Sequence, residues 1–383
     1  MELKIMRDPK LDKWAELLIH YSINVESHHN VLIQGDIGAL PLIEACYEKC
    51  VKSGAYTECL LNFDKLNEYF LKNASQEQLL TPPQLKKYAV EKFDRFLFIY
   101  APSNLQSLTN ISLERHTYSS RANQPIQKAI LDRKARGEIY WCRTHYPTAS
   151  AAQNASMGTA EFEDFVFRAG FLDHENPIES WKALGEAHTR AIEYLSNKKE
   201  LHFINSNGTD LRVNISGMKW VNLCGTINFP DGEIYTGPNL NASDGGVNGI
   251  VKYDFPTIYR GVEVDGIELI FEHGAVVEAK ASRNEAFLHR MIEQDAGAKY
   301  VGEIALGTNY RISTGVKDIL FDEKIGGTFH TALGMGYPET GNINQSALHW
   351  DLVCDLRNEG VIYADGEKIF ENGIFLRSGW PGR

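Results

Sequence analysis

The stretch VLIQGDIGALPLIEACYEKCVKSGAYTECLLN, residues 31–62, decides the fold of the first half of the chain. Its apolar run at 31–33 predicts a short strand, and the following glycines predict a turn. A helix is expected over Leu40–Lys52, because Ser53-Gly54 would stop it, and residues 58–62 predict the next strand. A strand, a helix and a second strand in this order predict parallel pairing through a crossover helix.

The second half has a different pattern. Residues 201–204 and 211–215 predict one hairpin, and residues 267–271 and 275–281 predict another. The polar stretch at 196–200 follows a predicted helix and is interpreted as the domain boundary. We therefore predict an α/β chain: an N-terminal α/β domain with a mostly parallel sheet (1–197) and a strand-rich α+β C-terminal catalytic domain (198–383).

Composition excludes several classes of protein. The 383 residues carry 39 Lys and Arg against 50 Asp and Glu, a formal net charge of −11, which argues against a nucleic-acid binder. The longest apolar runs are far shorter than the roughly 20 residues of a membrane helix, so no membrane association is expected. The start of the chain has no apolar signal region, and the cysteines show no C-x-x-C spacing. We expect a protein of the reducing cytoplasm.

Acidic and histidine residues of the second half are the candidates for chemistry. Glu233 follows a Pro-Asp-Gly turn, Glu303 interrupts an apolar strand, and His330 lies among glycines. His349 and Asp351 are two residues apart in a predicted strand, so their side chains project from the same face. Each residue also has an ordinary structural interpretation. Together, three carboxylates and two imidazoles suit two divalent ions with a bridging carboxylate.

Four blocks of sequence carry a resemblance to a known family. They are NFPDGE at 228–233, GEIALG at 302–307, HTALG at 330–334 and HWD at 349–351, with Tyr337 seven residues after His330. In this order and approximate spacing they resemble the M29 aminopeptidases, of the aminopeptidase T type. The similarity is specific in the second half, whereas the first half resembles the family in layout.

The resemblance implies functional roles for individual residues. It implies that two metal ions are bound by Glu233, Glu303, His330, His349 and Asp351. Tyr337 would be catalytic and would donate to the oxyanion of the tetrahedral intermediate. Either Glu303 or Glu323 would carry the proton of the attacking water to the leaving amine, and which acid bridges the ions stays open.

The resemblance also implies an activity, metals and an assembly. We expect an aminopeptidase, a hydrolase that releases N-terminal residues from short peptides through a metal-activated water. Ligands without thiolate allow Zn, Co, Mn or Mg, and the resemblance favours Zn or Co. It further implies a homodimer that encloses the active site.

Two other functions fit part of the pattern. His330, His349 and Asp351 alone satisfy the two-histidine, one-carboxylate pattern of a mononuclear non-haem Fe(II) enzyme, and ring-cleaving dihydroxypyridine dioxygenases resemble this fold. Glu233 and Glu303 argue against that alternative, since one iron would leave them unpaired. A peptide-binding protein without catalysis is the third possibility, although no ligand position looks substituted.

Overall fold

The computed structural model describes residues 7–382. A π-helical segment, Leu17–Ser22, continues the first helix, and short 3-10 turns occur at Ile37–Ala39 and Pro338–Thr340. The α-helices, numbered in chain order, are α1 (Pro9–Glu16), α2 (Leu40–Lys52), α3 (Asp64–Asn73), α4 (Gln76–Leu80), α5 (Gln84–Lys92), α6 (Leu113–Ala135), α7 (Ala149–Asn154), α8 (Thr159–Ala169), α9 (Pro177–Leu195), α10 (Glu285–Ile292) and α11 (Ile319–Asp322).

The strands are concentrated in the second half of the chain. In chain order they are β1 (Asn30–Asp36), β2 (Tyr56–Asn62), β3 (Arg95–Tyr100), β4 (Tyr140–His145), β5 (Glu200–Ile204), β6 (Asp210–Asn214), β7 (Val221–Leu223), β8 (Asn228–Phe229), β9 (Glu233–Thr236), β10 (Val247–Lys252), β11 (Thr257–Tyr259), β12 (Val262–Val264), β13 (Glu268–Glu272), β14 (Ala275–Lys280), β15 (Val301–Gly307), β16 (Thr328–Gly334), β17 (His349–Asp355), β18 (Val361–Ala364), β19 (Glu367–Glu371) and β20 (Ile374–Phe375).

The first sheet is parallel, as the sequence predicts. Its order is β2-β1-β3-β4-β8, and every neighbouring pair runs in the same direction. Helix α2 begins and ends at the predicted residues and connects β1 to β2. Trp14 is fully buried, with its ring 5.8 Å from that of Phe229 in β8 and 6.1 Å from that of Phe167. The prediction of an α/β first half with a mostly parallel sheet is confirmed.

Antiparallel pairing dominates the second half. One sheet has the order β14-β13-β10-β6-β5-β18-β19-β20, and another has the order β17-β16-β15-β9-β7. A single apolar core contains side chains from both sheets, among them Phe203 and Phe329, whose rings stack 4.2 Å apart. From β17 the core takes Trp350, Leu352 and Cys354, which alternate with His349 and Asp351. The alternation leaves the other face of the five-stranded sheet for polar side chains.

The chain divides into two compact units. One contains the residues up to Ile178 together with Gly225–Pro230, and the other contains Glu179–Cys224 and the residues from Asp231 onward. The division falls at the start of α9, whereas the predicted boundary at 197/198 falls just after the helix ends. The reason for the difference is packing, because Ala191 and Leu195 of α9 belong to the core of the second unit. The short strand β8 completes the first sheet from a distant part of the sequence.

None of the helices within residues 7–382 is long and apolar enough to cross a membrane.

Candidate metal centre

Four adjacent strands of the five-stranded sheet bring the predicted ligands together. Glu233 is the first residue of β9, Glu303 lies in β15, His330 lies in β16, and His349 and Asp351 lie in β17. Ala332 of β16 pairs with Glu303 on one side and with Asp351 on the other. All five side chains project from the face opposite the apolar core, because residues two apart on a strand share a face.

The imidazole nitrogens lie at the centre of this group. His330 Nε2 is 3.6 Å from Glu233 Oε2, 3.7 Å from Glu303 Oε1 and 3.9 Å from Asp351 Oδ1. His349 Nε2 is 3.5 Å from Glu303 Oε2 and 3.6 Å from Asp351 Oδ1. The two oxygens of Glu303 therefore face different histidines.

Within residues 7–382, three sets of donors have ligand atoms within 4.8 Å of one another. They are Glu233, Glu303 and His330; Glu303, His349 and Asp351; and Glu323, His330 and Asp351. The first two sets share Glu303 and together contain the five predicted ligands. The third set brings Glu323, which the sequence suggested as a proton carrier, to the same place.

Backbone carbonyls orient both imidazoles. Nδ1 of His330 lies 3.2 Å from the Glu323 carbonyl oxygen, and Nδ1 of His349 lies 2.9 Å from the Met335 carbonyl oxygen. A carbonyl only accepts, so each Nδ1 carries a hydrogen and donates it. In the neutral ring this leaves the Nε2 lone pair directed at the carboxylates, the arrangement found at metal-ligating histidines.

Two carboxylate oxygens of the group lack a hydrogen-bond partner. Within residues 7–382, Glu233 Oε2 and Asp351 Oδ1 are buried and accept no hydrogen bond. Buried acceptors are ordinarily satisfied, and an orphaned carboxylate oxygen carries a large desolvation cost. Metal ligation would satisfy both atoms, and a set of oxygen and imidazole donors suits Zn, Co or Mn.

Burial acts against the charged forms of Glu233, Asp351 and His330. It raises the pKa of the Glu233 carboxyl to about 8, because Lys324 offsets only part of the desolvation cost. Burial also raises the pKa of Asp351. Burial lowers the pKa of His330, yet the hydrogen bond and charge of Glu303 and the charges of Glu233 and Asp351 outweigh it and raise the pKa to about 10. The carboxylates thus attract positive charge to this place.

Lys324 supplies a positive charge that the sequence analysis missed. Its side chain is fully buried, and Nζ donates to Glu233 Oε1. Nζ also lies 2.7 Å from Glu323 Oε1 and 3.7 Å from Asp231 Oδ1. The ammonium therefore contacts three acids, of which Glu233 is a predicted ligand and Glu323 a predicted proton carrier.

Two tyrosines lie beside the carboxylates. The Tyr337 hydroxyl is 3.4 Å from His349 Nε2, and the two rings are 5.1 Å apart. Tyr235, two residues after Glu233 on the same face of β9, packs its ring 5.3 Å from that of Tyr337 and donates to Glu339 at 3.3 Å. Burial raises the pKa of the Tyr337 hydroxyl, so it remains a proton donor at neutral pH.

The sequence contained weak signals for the residues that were missed. Lys324 follows two acids in FDEK, which is also the pattern of an exposed charged turn. Tyr235 was identifiable from strand alternation, because it is two residues after Glu233. Asp231 belongs to the Pro-Asp-Gly turn and carries no further signal.

A buried cluster of carboxylates and imidazoles on one face of a well-packed sheet is the kind of donor set that metalloenzymes use. Sequence comparison identifies the family to which the protein belongs. The profile of the thermophilic metalloprotease family M29 matches residues 7–375. The chain belongs to the M29 family, a family of metallopeptidases, and is therefore a hydrolase, as the sequence blocks predict.

Individual relatives and solved structures agree with this assignment. Aminopeptidase 2 of Geobacillus stearothermophilus is 26% identical over 416 residues, which cover 96% of this chain and 97% of that protein. Aminopeptidase T of Thermus thermophilus is 28% identical over 398 residues, covering 94% and 96%. The solved structure of wild-type AmpT from Thermus thermophilus matches with a TM-score of 0.83 at 25% identity, covering 96% of this chain and 99% of that one.

A second solved structure bears on the dioxygenase alternative. The 2,5-dihydroxypyridine dioxygenase of Pseudomonas putida KT2440 matches with a TM-score of 0.61 at 14% identity, covering 98% of this chain and 99% of that one. This likeness shows a shared fold alone. The family match and the named aminopeptidases support M29 aminopeptidase function, and the dioxygenase alternative is not favoured.

Proposed function

We propose that this chain is a dinuclear metal-dependent aminopeptidase that releases N-terminal residues from short peptides. The single observation that carries the proposal is that two sets of three donors, Glu233, Glu303 and His330 and Glu303, His349 and Asp351, lie side by side and share Glu303. Neither set contains both Glu233 and Asp351, so one ion alone would leave a buried carboxylate oxygen of one of them without a partner, at a high cost.

In the proposal, each ion has three ligands from this chain. Glu233, Glu303 and His330 would hold one ion, and Glu303, His349 and Asp351 would hold the other, so that Glu303 belongs to both sets. When bound, the ions would polarise the scissile carbonyl and lower the pKa of a water from about 16 towards 7. Zn or Co is the expected metal, with Mn and Mg as possible substitutes.

The remaining chemistry falls to side chains beside the ligands. Glu323 accepts the proton of the attacking water and transfers it to the amine that leaves. Its side chain reaches His330 and Asp351 within 4.8 Å, which supports a role at the reacting atoms. The Tyr337 hydroxyl donates to the oxyanion that develops on the scissile carbonyl oxygen. The position of this hydroxyl beside His349 supports the role.

The deciding experiment measures hydrolysis of aminoacyl-p-nitroanilides. Protein stripped with EDTA is assayed before and after addition of Zn, Co, Mn or Fe(II), and bound metal is counted by elemental analysis. We expect activity to return with Zn or Co at two ions per chain. His349→Ala should remain inactive with every metal, whereas His289→Ala, a variant of the partly exposed histidine on α10, should behave as wild type.

Two results would contradict the proposal. Full activity of His349→Ala would show that the metal centre takes no part in the reaction. Oxygen uptake on a dihydroxylated ring with Fe(II), and silence on every aminoacyl substrate, would favour an oxygenase. The family resemblance also leads us to expect a homodimer, which sedimentation of the metal-loaded protein would test.

A further inference from the structure

A small cavity adjoins the candidate metal centre. Two of its lining residues are Asp351, a predicted ligand, and Val353, which lies two residues further along β17 and on the same face. One wall comes from residues 255–258, and the opposite wall comes from residues of the segment 317–322, which contains α11. The cavity therefore lies directly beside a carboxylate that would hold one of the proposed ions.

Contacts within the second unit fix both walls. The Asp254 N–H donates to the Val353 carbonyl at 3.2 Å, so the wall that follows Asp254 begins beside β17, the outermost strand of its sheet. The Phe255 ring packs against the segment that leads into the other wall, because a Cβ at Gly315 would lie 2.6 Å from that ring. The two walls thus contact each other and keep the cavity between them.

Apolar side chains line the accessible part of the cavity. Ile258 of the first wall is 37% exposed, Ile319 of the second wall is 39% exposed, and Val353 is buried. An apolar group that entered between the two isoleucines would remove their exposed surface from water, which is favourable. The hydrophobic effect therefore supports binding of an apolar group here.

The charged residues of the second wall have partners within the chain. Lys317 Nζ lies 3.2 Å from Glu263 Oε2, and the Asp322 carboxylate accepts the N–H of Val316 at 2.7 Å. A charged ligand group that paired with Lys317 or Asp322 would compete with these interactions, whereas an apolar group would leave them intact. The lining therefore favours an apolar ligand over a charged one.

The size of the cavity limits the group that it can take. The space between the lining residues has a volume of about 10 Å³, which accommodates about one water molecule. A methyl group is of similar size, whereas the side chains of leucine and phenylalanine are several times larger. Without enlargement, the cavity fits a methyl group.

We propose that this cavity binds the side chain of the substrate's N-terminal residue and selects a small apolar one, alanine above all. The inference rests on the proposed aminopeptidase function and deepens it. The bound ions would polarise the scissile carbonyl, and the N-terminal side chain branches from the carbon atom next to that carbonyl. This side chain must therefore lie close to the ions, where the cavity beside Asp351 receives it.

Ile258 and Ile319 would set the upper limit on side-chain size. Ile319→Ala enlarges the cavity and should raise the ratio of kcat/KM for leucine to kcat/KM for alanine by about tenfold, a typical effect of space in an apolar pocket. Ile258→Ala should act in the same direction from the opposite wall. Ile319→Phe should fill the cavity and lower kcat/KM for alanine towards that for glycine. Both isoleucines are partly exposed, so these variants are expected to fold.

The test uses Zn-loaded wild type and the three variants on the p-nitroanilides of glycine, alanine and leucine. Each kcat/KM is divided by that of the same protein on the glycine substrate, which has no side chain, so that a general loss of activity cancels. Calorimetric titration with free alanine and free leucine gives a second readout without turnover. Ile374→Ala is the matched control, since Ile374 is 40% exposed on β20 of the other large sheet and its loss should keep the wild-type ratios.

The outcomes separate this inference from the proposed function. If Zn-loaded wild type hydrolyses none of the aminoacyl substrates, the proposed function fails and this inference fails with it. If wild type is active but prefers leucine to alanine, or if Ile258→Ala and Ile319→Ala both keep the wild-type ratio, the inference alone is overturned. A change seen only between alanyl-glycine, alanyl-alanine and alanyl-leucine would assign the cavity to the residue after the scissile bond and would also overturn it.

Discussion

Two buried histidines in the second unit have opposite surroundings. His188 on α9 and His330 on β16 are 0% and 1% exposed. His188 contacts neutral partners, with Nδ1 2.7 Å from Asn222 Oδ1 and Nε2 2.7 Å from Thr308 Oγ1. Burial lowers the pKa of His188 to about 4, whereas carboxylates raise that of His330 to about 10.

The contrast shows how a buried histidine at a candidate functional site differs from a buried histidine with a purely structural role. Asn222 donates its Nδ2 hydrogen to the Gly185 carbonyl at 2.8 Å, so its Oδ1 accepts from His188 Nδ1. Nε2 then accepts from the Thr308 hydroxyl, and every polar atom of the His188 ring has a partner within the chain. Around His330, by contrast, Glu233 Oε2 and Asp351 Oδ1 are buried without a hydrogen-bond partner within residues 7–382. Both histidines are buried. Of the two, only the His330 cluster leaves buried polar atoms without partners among the described residues, and a bound metal would provide those partners.

The largest expected effect comes from His330→Ala. Loss of this ligand should abolish metal-dependent hydrolysis, by more than about a thousandfold, because the bound ions contribute several kcal/mol of transition-state stabilisation. Bound metal should fall below two ions per chain. Both quantities are measured on Zn-reconstituted protein, by p-nitroanilide hydrolysis and elemental analysis.

The same substitution at His188 provides the matched test. His188→Ala should keep two ions per chain, and any activity it loses should follow from lower stability at the assay temperature. A His330→Ala protein with wild-type metal content, or a folded His188→Ala protein without metal, would show that the two histidines had been assigned to the wrong kinds of site.

The clustering of the predicted ligands around His330 could be predicted from the sequence, but their surroundings could not. Four strands each contribute predicted ligands through motifs of three to six residues, and strand alternation fixes which side chains share a face. Lys324 could not be predicted in this way, because its burial depends on the packing of the β9, β15 and α11 segments and not on its local sequence. His188 occupies the apolar stripe of α9 with Trp181 and Leu195, but only the tertiary structure identifies Asn222 and Thr308 as its partners.

A smaller catalytic effect is expected from Tyr337→Phe. The hydroxyl lies 3.4 Å from His349 Nε2, and all five predicted ligands remain in the variant, so its metal content should be unchanged. Loss of one donor to a developing oxyanion typically lowers kcat by about a hundredfold, or about 3 kcal/mol. Steady-state kinetics should show the loss in kcat with KM nearly constant.

Tyr235→Phe is the matched control for this prediction. Its hydroxyl donates to Glu339, away from His349, so its removal should change kcat much less. An equal loss in both variants would mean that Tyr337 acts through the packing of the two rings, and the oxyanion role would be wrong.

Substitution of His188 is expected to lower the stability of the protein and to have no direct effect on its activity. His188→Ala removes two buried hydrogen bonds, leaves Asn222 Oδ1 and the Thr308 hydroxyl unsatisfied, and opens a cavity. The free energy of unfolding should fall by about 2–3 kcal/mol. Urea unfolding of the metal-free protein measures it, with His289→Ala as a control whose stability should change by less than about 0.5 kcal/mol. A loss no larger than that of the control would show that the His188 bonds contribute little.

The smallest expected effect is a pH dependence of stability that comes from His188. Its pKa is about 4 in the folded protein and near 6.5 in the unfolded chain, so the unfolded chain binds more protons between these values. Stability through this group is therefore complete above about pH 6.5 and is lost as the pH falls towards 4. Between pH 7 and pH 5 the loss amounts to about 2 kcal/mol.

His188→Gln isolates this contribution, because it cannot gain a proton. Wild type and variant are both unfolded in urea with EDTA present, so that metal release contributes to neither curve. The variant should be less stable at pH 7, and the difference should shrink by about 2 kcal/mol at pH 5 as wild type loses the stability of its neutral ring. Parallel curves would mean that His188 already accepts a proton in the folded protein. In that case the surroundings of the two histidines would differ less than their contacts imply.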